Sequence, residues 1–506
     1  MEKNLQSFDR TANTVGTCKE TTPASGFAMT TQEGYSGKDG APFGAGLQLQ
    51  WEAEPASFPM ANSDLLARSL AAVWHPCTQM KRHEALPLIP IARGDGVWLV
   101  DADGRRYLDA VSSWWVNLFG HGEPRIKAAI KAQLDELEHV MLAGFTHEPV
   151  VRLSERLGAL SGLGHAFYGS DGASAVEIAL KMAAHYWRNV GHPAKHRFVY
   201  LEGSYHGETA GALAVTDVPV FRDAYAPLIG QHFVAPSPDP RRALPGETAD
   251  DVTDRAASRL EHLLARHHGE IAALIVEPLV QGAAGMAMYS PRYLQLARAA
   301  CDRHQVLLIA DEIAVGFGRS GEMFASRGAG VQPDLLCLSK GITGGFLPLA
   351  CVLCSDKVFE AFYHDDVSRG FLHSHSYTGN PLACAAANAV LDIFESDNVI
   401  EANRARAERW DALFGPLRNH AHVTHFRRTG MIWAFDVTDA GAGFAQRYFA
   451  AALDQSLLVR PIGNTVYFMP PYTMLDDEIR LLADGALAAL DAALASDGQT
   501  QDLPLA

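Results

Sequence analysis

From about residue 115 onward the chain alternates short, almost unbroken apolar runs with long helical patterns, and this rhythm constrains the fold more than any other feature. The runs are Phe198-Val-Tyr-Leu201, Ile271-Ala-Ala-Leu-Ile-Val276, Val306-Leu-Leu-Ile-Ala310 and Leu335-Leu-Cys-Leu338. A strand with one wet face alternates apolar and polar residues, whereas a strand lacking that alternation has both faces covered. Strands of this kind separated by helices imply an α/β fold with a mainly parallel sheet between helical layers. The helix after Ser290-Pro291 starts as such a crossover should, with Ser as N-cap and Pro in the first turn.

The rhythm has edges. Residues 1–60 are rich in Ser, Thr and Gly and hold no sustained period, so they read as a disordered extension or an upstream start ahead of Met60. Ser63–Ala72 is a capped amphipathic helical segment, and Val97–Val100 with Arg105–Leu108 flank a polar turn as a hairpin. Beyond the helix of 380–396 come a charged helix near 400–415, shorter strands at Met431–Phe435 and Thr465–Met469, and a terminal helix near 476–495. The expected organisation is a large domain over 115–396 and a smaller α+β domain assembled from 61–114 and 397–496, with 497–506 as a tail.

Charge and cysteine usage exclude several classes of function. Forty-two Lys+Arg against 58 Asp+Glu leave a net charge of −16, a field that repels nucleic acid and anionic lipid. An anionic substrate must then be captured by a few local cations. Seven cysteines at disordered spacing suggest a reducing compartment. Cys351 and Cys354 form a CxxC, but they lie in the apolar run Leu347–Cys354, which reads as a buried strand rather than a metal site. The N-terminus shows no apolar signal core and no stretch reaches membrane-spanning length, so the expected location is cytoplasmic.

In a parallel sheet, sites form at the carboxyl ends of the strands. Phe167-Tyr168 runs into Gly169-Ser-Asp-Gly-Ala-Ser174, which opens a helix expected from Ala175 to about Trp187; small residues at a helix start expose backbone N–H groups that suit a phosphate. Val306–Ala310 ends on Asp311-Glu312, and a carboxylate there is costly to ionise unless a cation meets it. Leu335–Leu338 leads to Ser339-Lys340-Gly341, and Gly203-Ser-Tyr-His-Gly207 offers an aromatic face at the same rim. Each feature alone has a plain structural reading: a tight turn, a hydrogen-bonded Asp, a solvated Lys. Together they describe a ligand with a phosphate, a flat ring, a basic ring nitrogen and an aldehyde. Pyridoxal 5′-phosphate has all four.

These residues, with Trp74-His-Pro76, Ser112-Ser-Trp-Trp115, Gly316-Phe-Gly-Arg-Ser-Gly321, Thr378-Gly-Asn-Pro381 and Met469-Pro-Pro-Tyr472, run in order over roughly 74–475. In them the sequence resembles the class III (omega-type) aminotransferases, pyridoxal-phosphate enzymes of fold type I, the aspartate-aminotransferase-like fold. The Ser-Ser-Trp-Trp and Met-Pro-Pro-Tyr segments are most similar to the branch that serves biotin synthesis. That likeness implies S-adenosylmethionine as amino donor and 8-amino-7-oxononanoate as acceptor in a ping-pong reaction. It implies Lys340 as the attachment and proton-shuttling residue and Asp311 as partner of the ring nitrogen. Gly172, Ala173 and, from a neighbouring subunit of a homodimer, Ser376 would hold the phosphate, while Tyr205 stacks on the ring. Trp114, Tyr205, Arg319, Ser374, Arg460 and Tyr467 would line the substrate side, Arg460 facing the acceptor's carboxylate.

The sequence departs from the family's pattern at Cys77, where a tyrosine is usual, and at Ile462, Glu208, Ala173 and Ser376. Cys77 removes a phenol from the substrate mouth and leaves lysine open as an alternative donor. Other pyridoxal-phosphate activities (decarboxylase, aminomutase, simple omega-amine transfer) share Lys340 and Asp311 and stay as alternatives, as does a cofactor-binding protein without turnover. Gly316–Gly321 is a literal GxGxxG, but no long helix opens at it, which argues against a dinucleotide site. The paired histidines His267-His268 and His373/His375 come with no complete ligand set, so no metal is expected.

Overall fold

The apolar runs become the strands of one sheet in the computed structural model, which describes residues 62–496 apart from 85 and 87. The expectations for residues 1–60 and 497–506 lie outside the described residues. Seven strands form the sheet: β1 (His165–Gly169), β2 (Arg197–Leu201), β3 (Phe233–Ala235), β4 (Ile271–Val276), β5 (Leu307–Asp311), β6 (Leu335–Leu338) and β7 (Ala350–Cys354). Their spatial order is β1-β7-β6-β5-β4-β2-β3. From β3 through β6 every pairing is parallel; β7 alone runs against both of its neighbours. The reason lies in the connections. A parallel return needs a crossover of a dozen or more residues, usually a helix, and the link from β6 to β7 contains one 3₁₀ turn, Lys340–Thr343, instead.

Every residue of β4, β5, β6 and β7 is buried, as the missing alternation requires. Helices cover both faces: α1 (Gly172–Asn189) follows β1, α2 (Ala249–His267) precedes β4, α3 (Pro291–Arg303) precedes β5, and α4 (Pro381–Ser396) follows β7. Ser290 caps α3 and Asn380 caps α4, each with Pro in the first turn, so the Gly-Asn-Pro segment has a structural job as a helix start. Cys351 and Cys354 are three apart on β7 and therefore face opposite ways, each in a different apolar cluster. They cannot share a metal ion, and among the described residues no cluster of metal-ligating side chains occurs.

The described residues fall within one compact unit, Pro59–Ala506. Within it the hairpin expected near residue 100 appears as Ile91–Asp95, Trp98–Asp101 and Arg106–Asp109. Leu457–Leu458 extends this sheet by pairing parallel with Leu108 and Asp109, joining segments about 350 residues apart in the chain. A second small sheet combines Val423–Thr429, Ile432–Val437 and Thr465–Phe468. We keep as a proposal the division into a smaller domain of 61–114 with 397–496 and a large domain of 115–396; the described residues themselves form one compact unit. No described helix is long and apolar enough to cross a membrane.

Candidate active site

Asp311 is the last residue of β5 and is 4% exposed. Its Oδ2 lies 2.7 Å from Nδ1 of His206, and Oδ1 accepts the Ile313 N–H at 3.1 Å. A carboxylate only accepts, so Nδ1 carries the shared proton. The sequence asked for a cation at Asp311 and looked for it on a ligand; the chain itself supplies a histidine, from the loop after β2. The other ring nitrogen of His206 is buried without a partner. Sequence reasoning missed this residue, although it stands inside the Tyr-His-Gly segment.

Glu277 was missed as well, and the rule that found Asp311 would have found it, because it directly follows the buried strand β4. Its Oε1 accepts the Tyr205 N–H at 3.0 Å and Oε2 accepts the Gly282 N–H at 2.9 Å. Burial lifts its carboxyl to about 7. Through that first bond Glu277 fixes the backbone of Tyr205, whose hydroxyl donates to Glu208 at 2.9 Å.

Lys340 stands two residues past β6, with φ at +46°, a left-handed backbone unusual for a side-chain-bearing residue. Burial lowers its ammonium to about 8 against the opposing pull of Asp311 and Glu277. An amine with that pKa is a far better nucleophile at neutral pH than a solvated lysine.

The phosphate-type feature begins earlier than expected. Helix α1 starts at Gly172 rather than Ala175, because Asp171 is its N-cap and forms a reciprocal pair with Ser174, each side chain accepting the other's backbone N–H at 2.9 Å. The cap satisfies the third helical N–H, leaving those of Gly172 and Ala173 without an intrahelical acceptor. With the positive end of the helix dipole behind them, they suit an anion. Gly207 lets the neighbouring loop close on this corner: its φ is +119°, and a Cβ there would fall 2.7 Å from Cβ of Ala173. Gly207→Ala should therefore raise the dissociation constant for pyridoxal phosphate about 5- to 150-fold, the equivalent of about 1–3 kcal/mol of strain. Equilibrium dialysis reads this directly, and binding within twofold of the parent would contradict it.

On the other side, Trp114 is 42% exposed, and the Arg460 guanidinium lies 4.2 Å above its ring. Cys77 is half-buried and feels both Arg460 and Glu208, while burial pushes its thiol up. Tyr467 is buried, its hydroxyl accepting the Trp115 indole N–H at 3.1 Å, so it stands behind Trp115. Arg319 is 1% exposed and donates to the carbonyls of Pro470 and Asn117 at 2.6 and 3.1 Å. That geometry makes Arg319 a strut between segments rather than the substrate contact expected of it. Ser374 and Ser376 are exposed on the loop before α4, and within this chain they do not join the cluster around Lys340.

The residues present fit pyridoxal phosphate: two unclaimed helix-start N–H groups for its phosphate, a lysine with a lowered pKa for its aldehyde, and a buried carboxylate braced by histidine for its ring nitrogen. Comparison with known proteins agrees. The sequence profile of the family described as Aminotransferase class-III matches residues 79–490. A Helicobacter pylori protein named adenosylmethionine-8-amino-7-oxononanoate aminotransferase is 43% identical over 436 residues, 85% of this chain and 98% of the relative. The crystal structure of a protein of the same name from Methanocaldococcus jannaschii superposes with a TM-score of 0.80 at 34% identity, covering 85% of this chain and 99% of that one. An amine transaminase from an uncultivated Pseudomonas species, solved in its PLP-bound form, gives a TM-score of 0.78 at 38% identity over 84% and 98% of the two chains.

Proposed function

The chain belongs to the class-III aminotransferases, pyridoxal-phosphate-dependent transaminases of fold type I, and from that premise we propose that it moves the amino group of S-adenosylmethionine onto 8-amino-7-oxononanoate, forming 7,8-diaminononanoate for biotin synthesis. The observation that carries the acceptor is Arg460 laid over Trp114 at the mouth of the site. A planar guanidinium, oriented by an aromatic face, matches a carboxylate with two parallel hydrogen bonds, and a simple amine offers it no such group.

Pyridoxal phosphate, when bound, supplies an aldehyde for the incoming amine and a ring that takes up the electron pair of the broken C–H bond. The chain does the rest. Gly172 and Ala173 would hold the phosphate through their N–H groups, and Tyr205 would supply an aromatic face for the ring. Asp311, braced by His206, would pair with the ring nitrogen and favour its protonated form. Lys340 Nζ would hold the aldehyde and, when freed by the incoming amine, would take the proton from the amine-bearing carbon and hand it to the cofactor's own carbon. Both substrates use one cavity in turn.

The assembly in this reading is a homodimer in the cytoplasm. The exposure of Ser376 and Ser374 on a single chain supports sites completed across a subunit boundary, and the free state of all described cysteines supports a reducing compartment. Lysine stays the alternative donor. Glu208, close to Cys77 at the mouth, suits a sulfonium or a second ammonium equally.

Separate half-reactions test the donor. S-adenosylmethionine alone should bleach the yellow cofactor-loaded protein to the amine form, and lysine alone should not. Bleaching by lysine overturns the donor; turnover of a simple omega-amine with no response to either overturns the biotin assignment. Cofactor attachment gives an independent check on Lys340. Only the neutral amine attacks an aldehyde, so the loading rate should climb about tenfold per pH unit up to about 8 and then level. A climb continuing to the ordinary lysine range would point to a different amine.

A further inference from the structure

Trp115 has no role in the mechanism above, yet it lies directly against the lysine of the site. The Lys340 Nζ lies 4.3 Å from the centroid of its ring, well inside the range of a cation–π contact. The indole is only 7% exposed and is held from two sides. Its Nε1 donates to the Tyr467 hydroxyl at 3.1 Å, with the two rings edge to face, 6.0 Å between centroids. Gly282 leaves room for the far edge: a Cβ there would fall 3.0 Å from Cη2 and 3.2 Å from Cζ3.

The backbone beneath is strained. Ser112, Ser113, Trp114 and Trp115 have φ of 50, 46, 72 and 73°, four consecutive left-handed residues without a glycine. Such a backbone is unfavourable for a side-chain-bearing residue, so the turn persists only because its surroundings over-determine it. Ser112 Oγ donates to the Met469 carbonyl at 2.7 Å. Asp109 accepts both the Ser113 N–H, at 2.9 Å, and its Oγ–H, at 2.7 Å, and is itself met by His121 at 3.1 Å. The product of this turn is two tryptophan faces in succession, Trp114 under Arg460 and Trp115 under Lys340.

We infer that Trp115 is a positioning residue, its indole face being the seat on which the Lys340 ammonium rests whenever Nζ is not attached to the cofactor. The acidic groups that act on Nζ are Asp311 and Glu277, and both have their oxygens engaged elsewhere: Asp311 by His206 and Ile313, Glu277 by the N–H groups of Tyr205 and Gly282. Among the described residues no carboxylate pairs with Nζ at ion-pair distance. The difference is chemical. A carboxylate would anchor the ammonium and compete for its proton; a π face orients the charge and offers no base, so Lys340 keeps the proton it must deliver and leaves the seat readily.

The inference rests on Lys340 being the attachment lysine, and the test separates the two. In the full chain freed of pyridoxal phosphate, trace acetic anhydride is applied across a pH series and acylation of the Lys340 peptide is followed by mass spectrometry. The parent midpoint is expected near 8. The ring favours the charged form, so Trp115→Leu should lower the midpoint by about half to one pH unit, making labelling at pH 7 about three- to fivefold faster, while Trp115→Phe restores most of the difference. A merely structural role would depress the melting temperature in both variants and leave the midpoint alone. An unmoved or raised midpoint in Trp115→Leu overturns the inference. If that variant does not fold, Gly282→Ala, which pushes the indole edge without removing it, should shift the midpoint the same way by less, and no shift there is equally fatal. Borohydride reduction of the loaded parent chain reports on the underlying reading: a tag away from Lys340 sinks that reading, whereas a tag on Lys340 with an unmoved midpoint sinks only the role of Trp115.

Discussion

Replacing Lys340 by alanine should lower turnover by about four orders of magnitude while leaving a folded chain. Two functions vanish together. The amine that captures the cofactor aldehyde is lost, and so is the group that carries the proton, a contribution worth about 10²–10⁴ alone. Folding should survive, because Lys340 is half-buried, pays for its position with a left-handed backbone, and is desolvated enough to drop its pKa to about 8. An alanine relieves the desolvation but not the backbone strain. Single-turnover absorbance with S-adenosylmethionine measures the loss, and adding a small primary amine should recover part of the rate by carrying the proton in place of Nζ. Turnover within a hundredfold of the parent would remove Lys340 from the chemistry.

The second large effect is expected at Asp311. Asp311→Asn keeps the shape but removes the charge that would pair with the protonated ring nitrogen of bound pyridoxal phosphate, and breaking a buried pair costs about 3–5 kcal/mol. At 1.4 kcal/mol per factor of ten this corresponds to a loss of about 10²–10⁴ in cofactor affinity and half-reaction rate combined. The direction follows from geometry. Asp311 Oδ2 is 2.7 Å from His206 Nδ1, and the pair is shut away from water at the end of β5, so no solvent replaces the missing charge. His206→Asn should produce a smaller loss in the same two measurements, since it acts through Asp311. Dialysis against pyridoxal phosphate and stopped-flow absorbance give both numbers. An Asp311→Asn chain that binds and reacts within threefold of the parent would leave the carboxylate without a catalytic task.

These two residues were legible in advance, and the reason is physical. A charged side chain at the end of a strand with no polar alternation must be buried, and burial of a charge demands a partner. The same logic reaches Glu277, which stands one residue past β4 and was overlooked although the signal was present. His206 is different. Its neighbours in sequence give no hint that the loop after β2 bends to meet the end of β5. Arg319 shows the opposite failure: a guanidinium near a glycine-rich turn looked available to substrate, but carbonyls of Pro470 and Asn117, from distant segments, claim it.

The left-handed run Ser112–Trp115 carried no local warning either, since serine and tryptophan have no preference for that backbone. It exists because Asp109, His121 and the Met469 carbonyl close around it. The reversal of β7 was likewise hidden, because whether a link is long enough to hold a crossover is settled by how its residues fold.

Residue pattern by itself thus dictated what each segment needs: which strands must lie between two layers, where helix α1 begins to within three residues, and which charges require company. Only the folded chain decided who meets those needs, setting histidine against Asp311, tryptophan beneath Lys340 and Leu457 beside Leu108. Burial preference is a property of a residue and its near neighbours, whereas a partner is chosen by the packing of segments far apart along the chain.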